Sequence, residues 1–289
     1  MKTWLIVDCH GLCHQALHSM GALSHGDMKT GVIFGFFKDV IGLKDDMGTD
    51  DIVFAFDSRK NRRHELFPAY KEKRHSKELS EDEVNALIDF RKQVKRLRTE
   101  WLPQAGFSNV FHQEGYEADD VIASVVSNLP DDDEAIIVSC DGDLYQLLNE
   151  RVSFYNFRTR KMTTSSSFFK DKGLRPKQWA HVKAIGGCST DEVPGVEGIG
   201  EITAIKYLKG ELKESSVKFQ RIESTAGQAR IARNWPLVKL PFSAVDRFDL
   251  QPDAVTDEKW KQVADALGMK SLRGAAPMLT RSRRNMGIK

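Results

Sequence analysis

The sequence predicts an α/β protein: a central, mostly parallel sheet flanked by helices, with a helical region behind it. Three observations carry this. Short apolar, β-branched runs alternate with helical patterns. Acidic residues stand just past the ends of those runs. Strand signals fade after about residue 174, where Gly-rich turns separate helical patterns.

The first strand is "TWLIV", ending at Asp8, and the helix "TGVIFGFFKDVIGL" (Thr30 to Leu43) follows it. "DIVFAF" before Asp57 and "AIIVS" before Cys140 and Asp141 are two more strands. Each is a continuous apolar run of the length expected for a strand covered on both faces. Between Arg59 and Lys77 the chain carries eight Lys or Arg against two Glu, with Phe67, Pro68 and Tyr70 among them. Ser80 and Glu83 then form a capping box, and Val84, Leu87, Ile88, Val94, Leu97 and Trp101 recur at helical spacing. The expectation is a basic arch over about 59–105 ending in a long amphipathic helix. "EADDVIASVVSNL" (Glu117 to Leu129) is the helix before the third strand. The core is thus expected over 1–173 and a helical region over 174–289. That region includes "RPKQWAHVKAIGG", "EITAIKYLKG", "STAGQARIARNWPLVKL" and a basic, loose tail.

Composition sets bounds. The 289 residues are 40% hydrophobic, enough to fill a core, and the net charge is only +2. Charge is segregated rather than absent. No run approaches the ~20 apolar residues of a membrane span, and the apolar run at the N-terminus is too short for a signal sequence. Cys9, Cys13, Cys140 and Cys188 form no CxxC pair, which fits free thiols in a reducing cytoplasm.

The acids form the chemical signal. Asp8, Asp57 and Asp141 sit at the C-terminal ends of parallel strands, the edge where open α/β sheets bind ligands. Glu117 and Asp120 share a helix face, with Asp119 beside them, and Asp143 lies two beyond Asp141. Crowded carboxylates repel and push one another's pKa values up. Divalent cations resolve the conflict, and hard oxygen donors suit Mg²⁺ or Mn²⁺. So many acids exceed the needs of one ion, and two ions ~4 Å apart fit better.

Five segments, "IVDCHG", "FDSRKNRRHELFPAYKEKR", "GYEADDVIA", "VSCDGDLYQLL" and "GGCSTDEVPGVEGIGEITAIKYL", resemble in that order the motifs of the 5′-nuclease family. This is the flap endonuclease and 5′-3′ exonuclease group, which includes stand-alone bacteriophage enzymes and the N-terminal nuclease domain of bacterial DNA polymerase I. The resemblance spans about residues 3 to 210. It implies a PIN-like core with a helical arch and a helix-three-turn-helix element. It also implies a metal-dependent phosphodiesterase acting on DNA with a free 5′ end, a flap or a fork. Asp8, Asp57, Glu117, Asp119 and Asp120 would hold or orient the first of two Mg²⁺ ions, and Asp141, Asp143 and Asp191 the second, with Mn²⁺ able to substitute. Asp8, Asp57, Asp120 and Asp141 are the acids expected to carry catalysis. Lys71 and Arg74 would neutralise the scissile phosphate and its transition state. Tyr70 would stack on a base.

The chain departs from the family pattern twice. In "GGCSTDE", Cys188 stands where the "GDxxDN" motif has its first Asp, and Glu192 stands where it has Asn. A thiolate would favour softer metals; a neutral thiol, the reading preferred here, leaves the second ion short of charge. Gln15 stands where the family often has Arg.

DNA contacts are expected from Arg59, Arg62, Arg63, Tyr70, Lys71 and Arg74 in the arch. "PGVEGIG" should add Gly198 and Gly200, whose backbone N–H groups meet phosphates, with Lys206 on the next helix. In the family this turn grips duplex backbone and binds K⁺. Phosphate contacts position a strand without reading its bases, so dependence on DNA structure is expected: a flap, a fork, a nicked or gapped duplex, or an RNA primer. The eight histidines include none placed as a general base; His10, His14 and His64 read as packing or DNA-facing. The chain is expected to be a monomer acting alone, without a polymerase domain, in the cytoplasm of a bacterial or phage-infected cell. Two other readings are weighed: a fork-binding protein of the same fold weakened through Cys188, and a PIN-like ribonuclease.

Overall fold

Strand β1 (Thr3–Asp8) is the centre of a six-stranded sheet, and every residue from Trp4 to Val7 is buried. The computed structural model describes residues 1–72 and 80–276. Arg74 and the basic tail therefore lie outside the described residues.

Two helices follow β1: α1 (Cys9–Met20) and α2 (Gly31–Met47). Then come β2 (Asp51–Phe56), α3 (Glu81–Arg96), β3 (Asn109–His112), α4 (Ala118–Ser127) and β4 (Glu134–Ser139). β5 (Val152–Asn156) and β6 (Lys161–Thr163) complete the sheet, whose order is β3-β2-β1-β4-β5-β6. The first five strands are parallel and β6 returns antiparallel. Of these, β1, β2 and β4 match the expected runs. The other three are four, five and three residues long, too short to stand out as apolar runs.

The period-2 alternation of β1 divides the interior. Leu5 and Val7 pack with Leu12, Cys13 and Ala16 of α1 and with Phe36, Phe37 and Val40 of α2. Trp4 and Ile6 face the other way, against Val121, Ile122 and Val125 of α4. Gly35 permits the close crossing of α1 and α2: a Cβ there would stand 2.7 Å from that of Ala16.

Helix α3 begins with the expected capping box between Ser80 and Glu83. Its apolar stripe is only half used. Phe90, Val94, Leu97 and Trp101 are buried, whereas Val84 and Ile88 stay 40% and 41% exposed. Gln93 accepts a hydrogen bond from the Val32 N–H (3.0 Å) and so caps the start of α2.

After α5 (Ser165–Lys172) come α6 (Trp179–Gly186), α7 (Glu201–Leu208), α8 (Val217–Glu223), α9 (Thr225–Val238) and α10 (Asp257–Ala266). The segment between α9 and α10 runs back along the sheet. Asn109 and Gln251 exchange two hydrogen bonds, and Asp253 accepts from the N–H groups of Ser108 and Ile52. Trp260 of α10 is completely buried, edge-on to Phe37 at 5.1 Å. The stretches before and after residue 174 thus share their cores. Among the described residues no helix is long and apolar enough to cross a membrane, and all four cysteines are free.

Candidate metal centre

Register fixes the heart of the site. Asp8 ends β1, paired opposite Ala55 of β2, and Val7 pairs with Val138 of β4. Parallel pairing therefore brings Asp8, Asp57 and Asp141 to one sheet edge from segments far apart in sequence. Ser139 links two of them. Its hydroxyl donates to Asp8 Oδ2 (2.7 Å) and accepts from the Asp141 N–H (3.0 Å).

Helix α4 delivers the next acids. Asp57 Oδ1 accepts from the Ala118 N–H (2.7 Å), so a strand-end acid caps the helix and fixes its first turn over the sheet. Asp119 then faces Asp141, Asp8 and Glu117. Its carboxylate has no hydrogen-bond or ion-pair partner among the described residues. Desolvation first, and then repulsion from those three neighbours, push its pKa well above the ordinary value. Asp8 is raised by burial and by Asp57. Asp141 is pushed up to about 6 by burial and by Asp143.

Beside this lies a second group. Asp143, Cys188 and Asp191 bring ligand atoms within 4.8 Å of one another. Cys188 comes from a small antiparallel ribbon pairing Gly187–Cys188 with Val193–Pro194, and Asp191 lies in its turn. Gly187 has φ +80, and a Cβ there would meet the Gly195 nitrogen at 2.4 Å, so only glycine lets the ribbon close this tightly. The Cys188 thiol is pushed up to about 12 by burial and by Asp143 and Asp191, and so is neutral. Lys183 of α6 places Nζ 2.9 Å from Asp143 Oδ1.

Lys71 contacts Glu117 and Asp191, at 3.2 Å from the latter. Tyr70 donates to Glu117 (2.9 Å). Burial opposes the Glu117 charge, but Lys71 and Arg63 outweigh it and hold its pKa below the ordinary value.

The structure corrects three expectations. Asp120 is not available to a metal: it is 0% exposed and both oxygens are occupied. Oδ1 accepts from Arg63 Nη2 and the Phe242 N–H, each at 2.8 Å; Oδ2 accepts from Arg63 Nη1 (2.6 Å) and the Glu117 N–H (3.2 Å). Arg63 for its part is 2% exposed and held inside, so it cannot meet DNA. Tyr70 is also 2% exposed and its hydroxyl faces inward, so it offers no stacking surface. Arg59 and Arg62 are exposed, as are Gly198, Gly200 and Lys206. Gln15 pairs with Asp39 (3.0 Å).

One contributor escaped the sequence reading: Lys183, whose only signal is a lysine in an otherwise apolar helical turn. His10, read from sequence as packing or DNA-facing, instead stands at the acids, its Nδ1 3.1 Å from Asp57 Oδ2.

Hard carboxylate oxygens drawn into a low-dielectric recess, one of them without a partner, suit a divalent cation. Among the described residues, Asp143, Cys188 and Asp191 form the group of three whose donor atoms lie within 4.8 Å of one another, though one donor is a neutral thiol and an ammonium already offsets one acid. Asp8, Asp57, Asp119 and Asp141 line the same edge with no three of them that close, so they could share an ion only by turning inward.

Residues 3–174 match the family model described as 5′-3′ exonuclease, N-terminal resolvase-like domain. The 5′-3′ exonuclease of Aquifex aeolicus is 30% identical over 94% of both chains. The thermostable DNA polymerase I of Thermus aquaticus is 31% identical over 82% of this chain but only 28% of its own length. The chain therefore spans little more than a quarter of that polymerase. The fold is similar to that of a bacteriophage T5 flap endonuclease solved with DNA and metal ions. The TM-score is 0.70 at 24% identity, covering 92% of this chain and all of the other.

Proposed function

This chain belongs to the 5′-3′ exonuclease family, and from that premise we propose that it is a metal-dependent, structure-specific 5′-nuclease. It hydrolyses phosphodiester bonds in DNA bearing a free 5′ end, a flap or a fork, leaving a 5′-phosphate and a 3′-hydroxyl. The observation that carries the proposal is Asp119: a carboxylate with no hydrogen bond or ion pair among the described residues, its pKa pushed up by burial and by the charges of Asp141 and Asp8 at the edge where three strands end. Raised carboxyl pKa values from burial and like charge gather at functional sites, where a bound cation offsets the repulsion.

Mg²⁺ is the proposed ion, with Mn²⁺ as substitute. A bound divalent ion supplies a water of lowered pKa and polarises the phosphate. The chain's own residues do the rest. Asp57 fixes α4 against the strand ends. Glu117 holds Lys71 at the mouth of the cluster, where its ammonium can pass to an incoming phosphate and stabilise charge developing there. Lys183 holds Asp143 in place through its ion pair. Exposed Arg59 and Arg62, with Arg74, draw the strand in through its phosphates.

The turn before α7 would grip the duplex backbone, with the N–H groups near Gly198 and Gly200 and the Lys206 ammonium against phosphates. Main-chain carbonyls of this turn would hold a K⁺ ion; the Glu197 carbonyl accepts from Arg221 Nη1 (3.4 Å). The protein would work as a monomer in the cytoplasm of a bacterial or phage-infected cell, on flaps, forks, nicks, gaps or RNA primers.

The test is cleavage of a 5′-labelled flap substrate with Mg²⁺, with Mn²⁺ and with chelator. Cutting should need the metal and fall at least ~100-fold in Asp119→Asn. Binding of forks without cutting under any metal would replace the proposal with a recognition role. Preferential cutting of single-stranded RNA would replace it with a ribonuclease.

A further inference from the structure

Strand β4 breaks its own pattern at its last residue. Ala135 to Val138 are all apolar, and then comes Ser139, which is completely buried. A buried hydroxyl without partners costs about 1–3 kcal/mol, so its bonds carry the explanation. The hydroxyl donates to Asp8 Oδ2 (2.7 Å) and accepts from the Asp141 N–H (3.0 Å). Register makes this possible. Val7 pairs with Val138, so Ser139 stands beside Asp8 on the neighbouring parallel strand. Alternation does the rest. Trp4 and Ile6 of β1 and Ala135 and Ile137 of β4 pack on the α4 side, and Asp8 and Ser139 continue those two rows.

The direction of these bonds is fixed. The hydroxyl's one proton goes to Asp8, because the Asp141 N–H can only donate. Asp8 is held on its other oxygen too, where Oδ1 accepts from the Gly11 N–H (3.3 Å). Asp141 is held at both ends, its N–H by Ser139 and its Oδ1 by the Asp143 N–H (2.8 Å). One side chain thus sets the angle of the Asp8 carboxylate and the backbone from which Asp141 projects. No three of the four edge acids bring donor atoms within 4.8 Å of one another, so a shared ion demands that they turn together. Acids already fixed side by side have the least to turn and lose the least rotational freedom.

We propose that Ser139 is a positioning residue for the divalent ion, holding Asp8 and Asp141 at the spacing from which both can reach it. The inference rests on the metal-centre reading and adds a residue that acts through two of the acids rather than on the ion. Hydrogen bonds behind a metal ligand are worth ~10–100-fold in metal affinity. Packing does not account for the hydroxyl, since alanine would fill nearly the same space among the apolar neighbours. Alanine would instead leave the Asp141 N–H without its acceptor and let the Asp8 carboxylate swing about its remaining bond to Gly11.

The experiment is a Mn²⁺ titration of the full chain, without DNA, followed by electron paramagnetic resonance. Ser139→Ala should raise the dissociation constant ~10-fold or more. Ser139→Thr keeps the hydroxyl and should stay within ~3-fold of the wild type. Ile137→Val, in the same buried row, loosens the packing without touching the hydroxyl and should leave the constant unchanged. Melting curves in chelator check that each variant folds. Ser139→Cys, similar in size but a weak donor, takes over if Ser139→Ala does not fold. In flap cleavage, the Mg²⁺ concentration for half-maximal rate should rise in Ser139→Ala more than the maximal rate falls. An unchanged constant in Ser139→Ala, an equal loss in a folded Ser139→Thr, or an equal loss in Ile137→Val overturns the proposal. A wild type that binds no Mn²⁺ overturns the metal-centre reading and this inference with it. A wild type that binds Mn²⁺ while Ser139→Ala binds it equally well overturns the role of Ser139 alone.

Discussion

Arg63 and Asp120 form a two-pronged ion pair, Nη1 to Oδ2 at 2.6 Å and Nη2 to Oδ1 at 2.8 Å, with both side chains closed off from water. The pair joins the start of the basic segment to the first turn of α4. It also reaches the last turn of α9 and the chain beyond it, because Arg63 Nε donates to the Leu237 carbonyl (3.0 Å) and Asp120 accepts from the Phe242 N–H. Removing one member strands the other charge in the interior. Arg63→Ala or Asp120→Ala should therefore cost about 3–5 kcal/mol, read as a fall in the midpoint of urea unfolding in metal-free buffer.

The neighbouring acid should behave in the opposite way. Asp119→Asn removes a charge that repels Asp8, Asp141 and Glu117, so the metal-free variant should melt above the wild type. Divalent ions should raise the melting temperature of the wild type more than that of the variant. Calorimetry with and without Mg²⁺ measures both, and a variant that melts below the wild type without metal counts against the repulsive cluster.

Asp141 gives this repulsion a pH signature. Its folded pKa is pushed from 3.8 up to about 6. Between those values the folded state holds a proton that the unfolded state has lost, so the acid destabilises progressively as pH rises through that window. At neutral pH the penalty is about 3 kcal/mol. The stability gained by Asp141→Asn in chelator should accordingly grow from about pH 4 to pH 6 and then level off. Mg²⁺ should shrink it.

Cys188 sets the strength of the second metal position. With Cys188 neutral and Lys183 on Asp143, that half of the site lacks negative charge. Cys188→Asp restores a hard donor within reach of Asp143 and Asp191. The Mg²⁺ concentration giving half-maximal cleavage should fall ~10-fold. An unchanged metal requirement would remove Cys188 from the account.

Lys71 reaches the cluster through the main chain as well as its charge. Its N–H donates to the Asp191 carbonyl (3.1 Å), and its φ of +55 aims the ammonium at Glu117. Lys71→Ala should slow single-turnover cleavage by ~10²–10³-fold, with a smaller change in binding of the uncut flap.

Much of this was legible in the residues. "TWLIVD", "DIVFAF" and "EAIIVS" announce parallel strands because burial on both faces leaves an unbroken apolar run. The acids at their ends announce a ligand edge for the same topological reason. β3, β5 and β6 were not legible, since strands of three to five residues at a sheet's flank owe their form to pairing more than to their own composition. Asp120 misled because spacing gives a helix face and not what stands opposite it. That Arg63 occupies that place depends on two segments more than fifty positions apart.

The sequence by itself determined the alternating α/β layout, the capping box of Ser80 and Glu83, and the set of acids drawn to one edge. All of these follow from local periodicity or from the direction of a parallel strand. Only the tertiary structure decided how those acids divide: Asp119 without a partner among the described residues, Asp120 neutralised by Arg63, Asp143 offset by Lys183. A carboxylate's role is set by which charge meets it across space, and that meeting is arranged by packing between distant segments.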